Sequence, residues 1–191
     1  PSFSNPILQN FIIDDKSSLK ADKSKQKKKY LAIGDSISHG VGQDSKSYKT
    51  YPFLLSKRLD LQIYNLAVGG GKISPALSKR LKDFNNVKLM TILIGYNDLK
   101  FQGKTVNQYI EAYDQFLNEA RSAHPHTKIV CISLLYTKTK ESPKTKITPD
   151  EYRVALEQLV AQKRQEGDKN LHFVAGDSIT SVKNLRPDSP D

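Results

Sequence analysis

Three short stretches of this chain carry residue types that can do chemistry together, and each follows an apolar run. Gly34-Asp35-Ser36-Ile37 comes directly after Tyr30–Ile33, Asn65-Leu66-Ala67-Val68-Gly69-Gly70 after Leu61–Tyr64, and Gly95-Tyr96-Asn97-Asp98 after Leu89–Ile94. A serine between a strand and a helix stands where backbone N–H groups converge, and such groups can hold a developing oxyanion. A glycine N–H and an asparagine amide are the donor types that stabilise a tetrahedral intermediate. If the three apolar runs are strands of one parallel sheet, all three stretches fall on the same edge of it. The chemistry indicated is acyl transfer through a serine.

Other chemistries find little support. The chain has no G-x-G-x-x-G and no G-x-x-x-x-G-K-[ST], and Gly69-Gly70-Gly71-Lys72 lacks the loop length and the Ser/Thr of a phosphate-binding loop. The G-x-S-x-G elbow of α/β-hydrolases is absent, because position 38 is a serine. His124-Pro125-His126 offers two imidazoles with no carboxylate or third histidine nearby in sequence, so both are expected as exposed loop residues and no metal is expected. The single cysteine, Cys131, excludes an internal disulfide and a multi-thiolate zinc site; inside an apolar run it reads as a small core residue. No cofactor is expected.

The elements that must position these residues alternate along the chain. Strands are expected at Tyr30–Ile33, Leu61–Tyr64, Leu89–Ile94, Ile129–Leu135 and Leu171–Val174, and helices at Tyr51–Leu59, Ile73–Leu81, Val106–Ala123 and Pro149–Arg164. Tyr109, Ala112, Tyr113, Phe116, Leu117 and Ala120 form one stripe of the long helix; Thr105 precedes it as a cap, and Thr148 with Glu151 starts the next. Strict alternation predicts an α/β fold, a flavodoxin-like doubly wound five-stranded parallel sheet whose ligands sit at the carboxyl ends of the strands. At 191 residues there is room for one such domain, at 30–191. Residues 1–29 read as a Lys-rich extension: from 14 to 29, seven lysines face three aspartates with almost nothing to bury, although the Phe11–Ile13 patch is expected to dock on the domain. Lysines without interleaved aromatic residues favour a solvated tether over specific nucleic-acid binding, despite a net charge of +10. No apolar run reaches the roughly 20 residues of a transmembrane helix.

The three stretches together resemble the SGNH (GDSL-type) hydrolase family, with GDSI at Ser36, the glycine block at Gly70 and GYND at Asn97. The resemblance runs from about Tyr30 to Asp191. It implies a serine esterase on the SGNH hydrolase fold, with Ser36 as nucleophile and an oxyanion hole of the Ser36 and Gly70 backbone N–H groups and the Asn97 side chain. The family's last block, D-x-x-H, supplies the histidine base and the aspartate that orients it. None of the four histidines (His39, His124, His126, His172) has an aspartate three residues before it. Asp191 fits as that aspartate, with its histidine falling at position 194; the expectation is a chain cut before the catalytic histidine, with the final helix missing too. His39, three residues after Ser36, is expected in the cleft rim or on the surface and not as a substitute base. A second Gly-Asp-Ser-Ile at 176–179 has no glycine block or GxND behind it, so Ser178 reads as structural.

The function expected is hydrolysis of small acyl esters, plausibly acetyl, on a carbohydrate or another alcohol. A lysophospholipase or thioesterase is the rival inside the class, and a non-catalytic ligand-binding module the rival outside it. A small-molecule or carbohydrate ester is the expected partner, and the sequence leaves oligomeric state open. A start at Pro1 would suit a secreted or periplasmic enzyme after signal removal, and a trimmed cytosolic chain fits almost as well.

Overall fold

The computed structural model describes residues 12–18, 28–43 and 46–184. Five strands form one sheet: β1 (Lys29–Gly34), β2 (Gln62–Asn65), β3 (Val87–Leu93), β4 (Lys128–Ile132) and β5 (Leu171–Val174). The order is β2-β1-β3-β4-β5 and every pair is parallel, with Tyr30 beside Ile63 on one side and Leu89 on the other. This is the α/β architecture that the alternation predicts. β1 lies between β2 and β3, so the segments leaving the three strands emerge side by side.

The period-2 alternation of the strands divides the core in two. Leu31, Ile33, Met90, Ile92, Ile129, Cys131 and Leu171 face the larger cluster, against α4 (Val106–Ala123), α5 (Pro149–Gln165) and the one-turn α3 (Pro75–Ser78). Tyr30, Ala32 and Leu89 face the smaller one, with Leu55 of α2 (Tyr51–Arg58) and Ile63 packed against them. The two long helices begin at capping boxes, Thr105 with Gln108 and Thr148 with Glu151. Tyr109 of α4 stacks on Tyr152 of α5 with ring centroids 4.2 Å apart. Cys131 is buried in this core, which pushes its thiol up to about 12. No helix among the described residues is long and apolar enough to cross a membrane.

Four expectations need correction. The helix expected at Ile73–Leu81 is only Pro75–Ser78, followed by a 3-10 turn at Leu81–Asp83. Ser74, before the proline, is extended, and the Ile73 N–H is held by the Asp98 carboxylate instead of entering a helix. β4 ends at Ile132 and not at Leu135, because the Leu134 and Leu135 carbonyls accept from the Arg153 guanidinium in place of a neighbouring strand. His124 is buried: its Nε2 meets the Leu81 carbonyl at 2.9 Å, while His126 is exposed as expected. Finally, Ile12 is 91% exposed and does not dock, while Ile13 is 38% exposed; Phe11 lies outside the described residues.

Candidate active site

The chain leaves β1 through a turn that leaves Gly34 no alternative residue. A Cβ there would collide with the Ser38 side chain, whose hydroxyl pairs with the Tyr51 hydroxyl at 3.0 Å. Asp35, 2% exposed, caps the one-turn helix α1 (Ser36–His39) by accepting the Ile37 N–H at Oδ1, 3.0 Å. Gly40 closes the turn in the left-handed conformation, its N–H reaching the Ser36 and Ile37 carbonyls. Ser36 is the first residue of α1 and half-buried. Among the described residues its hydroxyl makes no hydrogen bond and its N–H has no acceptor.

The segment after β2 is tied to that turn. Asn65 donates from Nδ2 to the Ser38 carbonyl at 2.8 Å and accepts the Ala67 N–H at 3.1 Å, while the Val68 N–H reaches the Gly34 carbonyl at 3.2 Å. Gly70 turns with φ +76, is exposed, and its N–H has no acceptor among the described residues. Gly71 passes so close that a Cβ would come within 2.9 Å of the Gly34 carbonyl oxygen. A side chain there would push the glycine segment off the serine turn.

Asn97 completes the convergence from β3. Its Nδ2 donates to the Gly71 carbonyl at 3.0 Å and to the Asp35 Oδ2 at 3.3 Å, and two oxygen acceptors on one atom fix which end is the amide nitrogen. One side chain thus touches both the serine turn and the glycine segment. The next residue, Asp98, opens a single π-helical turn (Asp98–Gln102) and is fully buried. Its Oδ2 accepts the Ile73 N–H at 3.1 Å, and Lys104 Nζ stands 2.7 Å from Oδ1 as an ion pair, off the direction of a good hydrogen bond. Burial pushes the Asp98 carboxyl above its ordinary range, and Lys104 and the Ile73 N–H pull it back. Beneath the serine turn, burial raises the Tyr51 and Tyr30 hydroxyls above the ordinary phenol range, with the Tyr30 hydroxyl on Thr91 at 2.7 Å.

The structure therefore brings together the turns that carry Ser36, Gly70 and Asn97. Asp191 lies outside the described residues. His39 is exposed on α1, and none of the histidines bonds to Ser36. Ser178 donates to the Ala175 carbonyl at 2.6 Å, a local bond at the start of α6 (Gly176–Ile179). Sequence reasoning missed Asp35 as the cap and as a partner of Asn97, and Asp98 with Lys104 as the brace of the glycine segment. An aspartate just before a helix start was a legible signal for the first. The second depends on a bond to Ile73 that nothing in the local pattern announces.

Comparison with known proteins gives the chain a family and relatives of the same fold. The model of the GDSL-like lipase/acylhydrolase family matches residues 32–189, and the chain belongs to that family. Among solved structures it is similar to the salicylyl-acyltransferase SsfX3 of a tetracycline biosynthetic pathway, at TM-score 0.74 and 23% identity over 87% of this chain and 49% of that one. It is also similar to a family two carbohydrate esterase from Clostridium thermocellum in complex with cellohexaose, at TM-score 0.65 and 19% identity, covering 83% of this chain and 56% of that one. An uncharacterized Mycoplasma pneumoniae protein is 30% identical over 125 residues, 59% of this chain. The chain spans about half the length of the two structural relatives and 14% of the Mycoplasma protein.

Proposed function

We propose that this chain is a serine esterase that removes small acyl groups, acetyl foremost, from a carbohydrate or a similar alcohol. One observation carries the reading. Among the described residues the Ser36 and Gly70 N–H groups both lack acceptors, and the Asn97 amide stands between the turns that bear them. In this mechanism Ser36 Oγ attacks the ester carbonyl carbon and its proton goes to a base. Negative charge gathers on the carbonyl oxygen, where the two N–H groups and Asn97 Nδ2 receive it. The bond from Asn97 to Asp35 is the longer of its two and is the one that the oxyanion replaces. Collapse expels the alcohol, leaves an acyl-serine, and water then releases the acid. The base stands outside the described residues in this reading, with Asp191 as its orienting carboxylate. Family membership and the esterase among the structural relatives support hydrolysis. The ring of Phe101, 58% exposed next to the Asn97 turn, offers a face for a sugar.

The test is to trap the acyl-enzyme. p-Nitrophenyl acetate loses its leaving group without needing a proton, so acid quenching followed by peptide mass spectrometry reads the acylated residue directly. Acetyl on the peptide containing Ser36 is expected. Acetyl on another residue, or undiminished turnover in Ser36→Ala, overturns the assignment.

A further inference from the structure

A narrow recess opens beside Ser36, and nothing in the acyl-transfer chemistry itself requires it. Ile37, Leu93, Ile94, Tyr96, Leu134 and Leu135 line it together with Asp35, and its volume is about 10 Å³. That is room for one group the size of a water molecule or a methyl. Asp35 and Ile37 flank Ser36 in the turn, and Asp35 also accepts from the Asn97 amide, so the recess lies against the same turn and the same oxyanion donor. We propose that it is a gauge of acyl length: it seats the methyl of an acetyl group and excludes longer acyl chains. This rests on the esterase reading above and names the acid half of its substrate.

A gauge must be stiff, and the walls are held from behind. The Tyr96 hydroxyl is fixed by the Thr139 hydroxyl at 3.0 Å and accepts from Lys100 Nζ at 2.9 Å. The Ile94 carbonyl accepts the Tyr109 hydroxyl at 3.0 Å. Arg153 of α5 reaches the opposite wall, donating from Nε to the Leu134 carbonyl at 2.9 Å and from Nη2 to the Leu135 carbonyl at 2.6 Å. Its remaining nitrogen pairs with Asp150, which orients the fork. Arg153 is thus a positioning residue for the recess. It bends the chain after β4 away from strand pairing and sets the two leucines against Ile37 and Tyr96. Without it, those carbonyls have no strand to bond to, and the wall is free to retreat. A methylene that a fitted apolar pocket cannot admit costs roughly 10- to 200-fold in kcat/KM.

The experiment is a series of p-nitrophenyl acetate, propionate, butyrate and hexanoate on the full-length protein, histidine base included, read as kcat/KM ratios so that a loss of folded protein cancels. The native chain should prefer acetate to butyrate by roughly ten-fold or more. Leu135→Ala and, from the facing wall, Ile37→Ala should each raise the butyrate-to-acetate ratio by a similar factor. Arg153→Met should raise it less, and Arg153→Lys should recover part of the native ratio. A flat profile in the native chain, or ratios that none of these variants moves, overturns the gauge; if Ser36→Ala still stops turnover, the esterase reading stands without it. No turnover of any ester, or turnover indifferent to Ser36→Ala, sinks the esterase reading and the gauge together.

Discussion

Gly-Asp-Ser-Ile occurs twice, at 34–37 and at 176–179, each time at the carboxyl end of a strand and each time leading into a single helical turn. Both glycines are there because backbone or side chain crowds the place of a Cβ: the Ser38 side chain at Gly34, the Ser133 carbonyl at Gly176. Beyond that the two diverge. Asp35 is buried and caps its helix; the Asp177 side chain is 43% exposed and faces Arg153 at 3.8 Å. Among the described residues the Ser36 hydroxyl is uncommitted, whereas the Ser178 hydroxyl is spent on the Ala175 carbonyl. The cause is the position of the strand. β1 has a parallel neighbour on each side, and each neighbour delivers a loop to the serine; β5 is at the edge and has one neighbour. Identical tetrapeptides become a turn braced by two neighbouring loops or a plain helix start according to what the adjoining strands bring.

That contrast can be broken most severely at the serines themselves. In the full-length protein, histidine base included, Ser36→Ala should reduce ester turnover to background, and Ser178→Ala should leave kcat nearly unchanged, measured on p-nitrophenyl acetate. Equal losses would mean that strand position does not separate the copies. The next effect is on their supporting side chains. Asn97→Ala should lower kcat by about 10²–10³-fold with little change in KM. Ser133→Ala removes the acceptor of the Gly176 N–H and should cost about 1 kcal/mol of stability with little effect on rate.

The smallest effect on turnover, and the one that depends on pH, comes from the brace behind the first copy. Burial raises the Asp98 pKa, so over the window between its unfolded and folded values the folded chain keeps a proton that the unfolded chain has lost. Stability contributed there falls as pH rises. Lys104→Met extends the window upward by removing the compensating charge. The variant should lose about 3 kcal/mol near neutral pH and much less below about pH 4, where carboxyls are protonated in both states. Urea melts at the two pH values decide it; an equal deficit at both would show that Lys104 serves by packing alone.

Local signals were read well from the sequence. α4 was expected at Val106–Ala123 and occupies it, since its apolar stripe and its Thr105 cap are encoded within a few turns. β5 matches residue for residue. What escaped was set by partners distant in sequence. Ile73 is withdrawn from helix by a carboxylate 25 residues away, and His124 is buried by a carbonyl 43 residues away. The three site motifs were legible because strand alternation alone puts them on one edge. The bonds that lock them, from Asn65 to the Ser38 carbonyl and from Asn97 to Asp35 and Gly71, were not, because side-chain direction depends on the finished sheet.

Asn97 and Asp35, joined by one amide bond, are 62 positions apart, and Gly71 enters between them from a third segment. Contacts of that range form late, after the loop-closure entropy of the intervening chain has been overcome. During refolding, α4 and its capping box can appear early, while the cleft has to wait for β2 and β3 to flank β1. Under the proposed function, acylation of Ser36 would be a clock for the completion of the sheet: a quenched-flow experiment started from denatured protein would time the docking of the two neighbouring strands, a step that helix-sensitive spectroscopy would miss.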